Sequence, residues 1–220
     1  MLENRHILDV KKQQIEKNLF GLFEQVRHAI EGAINCLGGK DMDVCQTVID
    51  EDAQINAARR LLEQDCLVVI ASQQPVAHDL REIVAFMRIA TELERIGDYA
   101  SDIAVSVMQM DGGDLSALGL DEVVAMSRDC IEMLSKVGAA VSGRDTEKAR
   151  QTSKMDDRVD QAQQDLVEKL FADMQSDPTQ VPDASRMLWI CHNLERCGDR
   201  ATNIAEQVVF MMDAEVVELD

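Results

Sequence analysis

The chain has 220 residues, a formal net charge of −19 at neutral pH, and only one Trp, one Tyr and five Phe. The charge leaves no basic stripe for a nucleic-acid surface, and no apolar run approaches the roughly 18 residues needed to span a bilayer. An interior packed by Met, Ala, Leu, Val and Ile, with three prolines in all, suits an all-helical protein.

Helical periodicity predicts a first helix over residues 6–36, with Ile15, Leu19, Leu22, Phe23, Val26, Ile30 and Ile34 on one stripe. The glycines of LGGKD stop it. A second helix covers 42–72 and ends ahead of Pro75, because the residue before a proline avoids helical geometry. A third spans 76–110. The turn residues of DGGDLSAL at 111–118 form a linker. Beyond it a fourth helix covers 120–141, a fifth 146–174 and a sixth 183–212, separated by SGRD and QSDPTQVP and followed by the acidic tail DAEVVELD. No segment carries a strand pattern. The fold class is therefore all-α, two tandem three-helix bundles, with repeats expected at 1–112 and 113–220.

The six cysteines (36, 45, 66, 130, 191 and 197) never reach C-x-x-C spacing. They read as buried thiols, where Cys acts as a small hydrophobe, rather than as metal ligands. The four histidines are scattered and suggest no nucleophile–base pair. The N-terminus lacks the apolar core of a secretory signal, so a cytoplasmic location is expected.

One phrase is written twice. Residues 94–104 read ERIGDYASDIA and residues 195–205 read ERCGDRATNIA; over windows 94–110 and 195–211, nine of seventeen positions are identical. Each copy sets oxygen side chains four residues apart: Glu94, Asp98 and Asp102, then Glu195, Asp199 and Asn203. A second echo pairs DAQIN at 52–56 with DDRVD at 156–160.

Stepping about 100° per residue from Leu93 puts Ile96, Ala100, Ile103, Ala104 and Val107 on the core stripe. Glu94 and Asp98 then lie on its shoulder, and Asp102 drifts toward solvent. On the second helix Asp52 and Asn56 lie on a similar shoulder beside inward Ile55. Antiparallel packing would set acidic shoulders face to face, and the fifth and sixth helices would repeat this with Asp156, Asp160, Glu195 and Asp199.

Two unit charges about 6 Å apart repel by roughly 3 kcal/mol at an effective dielectric near 20. One such pair is tolerable; four converging carboxylates call for a cation. All-oxygen sites suit magnesium, manganese or iron rather than thiolate-type zinc. The competing reading is helix-surface ion pairing, because Arg95 stands three residues from Glu92 and Asp98, and Arg196 three from Asp199. Gly97 and Gly198 shift the balance toward metal, since a mid-helix glycine costs about 1 kcal/mol and signals close approach of either a helix backbone or an ion cluster.

LERIGDYASDIA and LERCGDRATNIA resemble the E(D)-x-x-x-D signatures of the PhoU family of phosphate-uptake regulators, and QQPVAHDLR at 73–81 is similar to that family's approach to its first signature. The resemblance spans nearly the whole chain, although the second repeat has no good counterpart of QQPVAHDLR. It implies paired three-helix bundles, a homodimer, and multinuclear iron, manganese or magnesium sites. Carried over position by position, Glu94, Asp98, Asp52 and Asn56 would hold one site and Glu195, Asp199, Asp156 and Asp160 the other. Asp102 and Asn203 match the family's outer polar position, with Asp102 standing where the family commonly has Asn. The resemblance also implies an adaptor between the ATPase subunit of the phosphate ABC transporter and a membrane sensor histidine kinase, repressing the phosphate-starvation response.

A ferritin-type di-iron enzyme would need Glu-x-x-His on two helices, and neither is present; HNLE at 192–195 has the reverse order. The reading is therefore not an enzyme. The alternative to a metal-binding regulator is a metal-free helical interaction module.

Overall fold

The computed structural model describes the backbone of residues 2–219 and the side chains of residues 5–219. Met1 and Asp220, the outer limits of the two expected repeats, lie outside the described residues. The elements are α1 (Leu2–Gly39), α2 (Met42–Gln73), α3 (His78–Met108), α4 (Leu120–Gly143), α5 (Thr146–Ser153), α6 (Asp156–Ser176), a 3₁₀ turn at Pro178–Gln180, and α7 (Val181–Asp213). No strand occurs among the described residues, and no helix there is long and apolar enough to cross a membrane.

Three expectations are corrected. The single helix expected over 146–174 is two, broken at Lys154 and Met155. Thr152 and Ser153 turn their hydroxyls back onto the carbonyls of Lys148 and Arg150, at 2.8 and 3.0 Å, which competes with regular helix propagation. Restarting the helix puts Asp156 and Asp157 in a first turn, where the helix dipole favours acids. The last helix starts at Val181 rather than 183, because Pro182 fits the first turn, whose amides need no intrahelical acceptor. Cys36 and Cys45 are not separate thiols: the turn between α1 and α2 brings their Cα atoms to 5.3 Å and they form a disulfide. The other four cysteines are free and buried, as expected.

The long helices α3 and α7 pack against each other at the centre, with α2 beside α3, α5 and α6 beside α7, and α1 and α4 closing the two halves and touching one another. The central pair is antiparallel. Arg88 lies over the Phe210 ring and donates to Gln207, whereas Glu92 accepts from Arg200 and Asn203 further along. The core is continuous through both halves, with Leu19, Ile30, Ile89, Leu93, Val137, Ile190, Leu194 and Ile204 all buried.

Two turns expected only as helix stops do more. Gly39-Lys40-Asp41 and Gly143-Arg144-Asp145 echo one another. In each the basic residue takes a left-handed backbone, with φ 48° at Lys40 and 50° at Arg144. In each the following Asp caps the next helix, Asp41 accepting from the Asp43 and Val44 amides and Asp145 from that of Lys148. Lys40 donates to the Gly113 carbonyl of the linker at 3.0 Å. The linker is pinned from its other side by buried Asp183 of α7, whose carboxylate accepts the Asp111 and Gly113 amides at 2.7 Å each. Arg144 crosses from the second repeat to the first, where it meets Glu16 of α1 and Glu82 of α3.

Candidate functional site

The acidic shoulders do face one another across α2/α3 and across α6/α7, and the glycines explain how. A Cβ built on Gly97 would meet the Ile55 side chain at 3.0–3.1 Å, so the absence of a side chain lets α2 lie close against α3. A Cβ on Gly198 would run into the carboxylate of Asp156 and touch Val159 at 3.5 Å, which brings α6 against α7 in the same way. The close approach inferred from the repeated glycines is thus that of a neighbouring helix's side chains.

In the first groove Asn56 donates to Asp52 Oδ2 at 2.8 Å, while Asp52 Oδ1 is buried with no hydrogen-bond partner. Burial, then repulsion from Glu94, holds the Asp52 pKa above its ordinary value despite that bond from Asn56. Asp98 is raised by burial, then by Glu94 and Asp52. Asp102 stands at the rim, where partial burial and then Asp52 raise it too. Mutual repulsion of this kind shows that Asp52, Glu94, Asp98 and Asp102 share one electrostatic neighbourhood.

A cation already reaches this groove. Arg59, four residues beyond Ile55 on α2, approaches Glu94 at 3.4 Å while holding Glu63 at 2.6 Å. Arg95 lies outside, 3.4 Å from Asp98. The residue at the position of Arg59 in the second repeat is Gln163. Arg59 was missed because its i, i+4 spacing to Glu63 looks like an ordinary surface pair.

In the second groove burial, then Asp199, with Asp160 contributing further on, raise the Glu195 pKa. Glu195 Oε2 is buried without a hydrogen-bond partner, and His192 Nδ1 stands 3.6 Å from it. Asp156 accepts from the buried Thr202 hydroxyl at 3.1 Å. A cleft of about 250 Å³ opens beside Asp156, Asp157, Asp160 and Asp199, with Lys154 and the tail residue Leu219 on its walls. Leu219 is seated there by its amide, which donates to Glu206 at 3.0 Å.

One candidate goes elsewhere. Asn203 turns away from the acids and donates to Glu92 of α3 at 3.2 Å, helping to join the central helices. The residue before it, Thr202, occupies the groove instead. Thr202 was passed over because it falls outside the i, i+4 row, yet the 100° step carries it toward α6.

As a metal site, the donor chemistry fits. Both grooves offer oxygen donors, and each has a buried carboxylate oxygen lacking a hydrogen-bond partner, at Asp52 and at Glu195. The spacing is looser than a formed site. Among the described residues no three His, Cys, Asp or Glu side chains are gathered so as to hold a metal ion. Holding one would require the groove side chains to rotate inward.

These features define a class: an all-helical tandem-repeat protein with an acidic groove on each flank of a central antiparallel helix pair. The PhoU domain profile matches residues 19–107 and 123–208. The chain belongs to the PhoU family. It is 30% identical over 219 residues to the phosphate-specific transport system accessory protein PhoU homolog of Rhizobium meliloti, covering 96% of this chain and 90% of that protein. The crystal structure of the phosphate transport system regulatory protein PhoU from Streptococcus pneumoniae superposes with a TM-score of 0.87 at 25% identity, over 96% of this chain and 99% of that one. PhoU from Pseudomonas aeruginosa gives 0.88 at 27% identity, over 94% and 99%.

Proposed function

We propose that this chain is a regulatory accessory protein of phosphate uptake, working as a metal-binding adaptor in the cytoplasm rather than as an enzyme. The observation that carries this reading is the end-to-end likeness to phosphate-transport accessory proteins, in a chain whose two signature helices bring their acids against neighbouring acids. Its partners are the ATPase subunit of a phosphate ABC transporter and a sensor histidine kinase, and it acts as a homodimer that restrains the phosphate-starvation response.

In this reading Asp52, Asn56, Glu94 and Asp98 hold one cation site, with Asp102 at its rim, and Asp156, Asp160, Glu195 and Asp199 the other. Asn203 leaves the set. Magnesium, manganese or iron would neutralise acids crowded into each groove and would stiffen each helix pair. Arg59 on Glu94 partly supplies that charge in the first groove, and Arg196 on Asp199 does so in the second.

Elemental analysis of protein purified without tag or chelator, beside a Glu195→Ala/Asp199→Ala variant, tests the metal half. More than one equivalent of metal per chain, reduced in the variant, supports it. Metal-free protein whose melting is unmoved by manganese or magnesium refutes it. Binding to the purified transporter ATPase subunit and kinase domain tests the adaptor half, and sedimentation tests the dimer. A metal-free adaptor is the second reading, favoured by Arg59 against Glu94 and by Arg196 against Asp199 at 2.8 Å.

A further inference from the structure

The disulfide between Cys36 and Cys45 stands apart from everything the acidic grooves do. It closes the turn between α1 and α2, with Cys36 in the last turn of one helix and Cys45 in the first turn of the next. Both sulfurs are fully buried, directly beneath a run of exposed residues at 38–43. Both belong to the continuous core, so a reagent reaches them only when this short turn opens.

The second repeat provides an internal control. Its equivalent turn, Gly143-Arg144-Asp145, has Ala140 and Ala149 at the positions of Cys36 and Cys45, and both alanines are buried. Small side chains therefore suffice for packing at this corner, and the sulfur atoms of the first repeat are not needed to fill space. Nor do the other cysteines offer a competing chemistry. Burial pushes the thiols of Cys66 and Cys191 up to about 12 and raises those of Cys130 and Cys197 as well, and none of these four is bonded to a second cysteine.

The turn is also a junction. Lys40 at its tip holds the Gly113 carbonyl, and the amides of Asp111 and Gly113 are held by Asp183 at the start of α7. Whatever stiffens the turn stiffens the hold of the first repeat on the linker.

We propose that Cys36 and Cys45 form a reversible redox site that takes low-molecular-weight disulfides and dithiols, and whose oxidation state sets how firmly the turn grips the inter-repeat linker. In oxidation the turn opens to water, and one protein thiolate then attacks a glutathione disulfide, releasing one glutathione thiolate and leaving a mixed disulfide. The second protein thiolate then attacks the protein sulfur of that bond and releases the second glutathione. Two protein thiols and one glutathione disulfide become one protein disulfide and two glutathione thiols, so atoms and electrons balance. A dithiol reductant reverses the step. In a reducing compartment the dithiol is the resting form and the disulfide the signal.

The test uses the folded wild-type chain. It is incubated natively with dithiothreitol or with oxidised glutathione, quenched with an alkylating agent and mapped by mass spectrometry, and amide exchange is followed in both states. The expected result is a linked 36–45 peptide after oxidation and two alkylated thiols after reduction. Reduction should also speed exchange about tenfold at 38–44 and 111–113, and lower the melting temperature by about 5 °C. The Cys36→Ala/Cys45→Ala variant, which copies the second repeat's own corner, should fold and show no response to either reagent. Two alkylatable thiols after native oxidation, a disulfide that resists native reduction, or equal exchange at 111–113 in both states would overturn the proposal.

Discussion

Arg144 and Glu82 meet across the seam between the two repeats, 62 positions apart in sequence. Arg144 Nε donates to Glu82 Oε1 at 3.1 Å, the guanidinium reaches Glu16, and its carbon lies 5.7 Å from the centre of the Phe86 ring. Lys12 pairs with Glu82 as well and reaches Asp79 at 2.8 Å, and Arg5 closes the cluster on Asp79. The QQPVAHDLR stretch thus contributes Asp79 to the joint that ties α3 to α1, beside the Glu82 that receives Arg144. Arg144 holds a left-handed backbone that usually selects glycine, and the ion pairs offset that cost.

Removing one partner of a buried ion pair leaves the other charge stranded. Arg144→Ala is expected to lower stability by about 2 kcal/mol, less than for a fully stranded charge, because the almost fully buried Glu82 keeps Lys12 as a partner. Arg144→Gly, which relieves the backbone, should recover only a few tenths of that loss, roughly what a left-handed site gains from glycine. Urea melts of the two variants separate the charge contribution from the backbone one. Equal stability of Arg144→Gly and wild type would refute the clamp.

Acid should attack the same joint. Burial by itself would raise the pKa of Glu82 and of Asp79, but Lys12, Arg144 and Arg5 reverse it and hold both below the ordinary carboxylate range. A carboxylate whose pKa falls on folding stabilises above its unfolded value and loses that stabilisation as pH falls through the folded one. The groove acids Asp52, Asp98 and Glu195 have the opposite sign, since their pKa values rise on folding. Their contribution is complete below the unfolded value and lost as pH rises through the folded one. Melting curves of chelator-treated protein should therefore rise modestly from pH 7 toward about 5 and fall below about 4. A double variant, Asp79→Asn/Glu82→Gln, should start lower and lose most of the fall.

The two glycines should respond differently to a methyl group. Gly97→Ala presses on Ile55, which is buried and has nowhere to go, so about 1–2 kcal/mol of overpacking outweighs the gain in helix propensity. Gly198→Ala presses on the Asp156 carboxylate, the far end of a side chain that can swing away. Its stability should stay within about 1 kcal/mol of wild type. The Thr202 to Asp156 hydrogen bond should be lost instead, visible as altered hydroxyl and amide shifts by NMR.

Charge at the first groove is open to a direct exchange. Arg59→Gln installs the residue of the second repeat, and removing a positive charge beside Glu94 should tighten manganese binding there by about tenfold. Titration calorimetry against a Glu195→Ala/Asp199→Ala background isolates that groove. Unchanged affinity would mean that Arg59 does not compete with a cation.

The stops LGGKD, SGRD and QSDPTQVP, the apolar stripe through Leu93, and the duplicated acidic phrase were all readable because each is local. Backbone turn chemistry, the 3.6-residue period and a written repeat need no knowledge of what lies across the fold. The same locality made Glu94, Asp98, Asp52 and their counterparts recognisable as shoulder residues. It also hid the break at Lys154 and Met155, where a helical pattern continues through residues whose hydroxyls bond back to the chain.

By itself, then, the sequence determined the helical character of the chain, most helix boundaries, the duplication and which faces carry acid. Only the tertiary structure decided the partners. It sent Asn203 to Glu92 and set Thr202 on Asp156. It brought Arg59 to Glu94, joined Cys36 to Cys45, and locked Arg144 onto Glu82. The physical reason is the rotation and antiparallel register of packed helices. That register is set by the summed fit of a continuous core and by two glycines that admit Ile55 and Asp156, and no single stretch of chain encodes it.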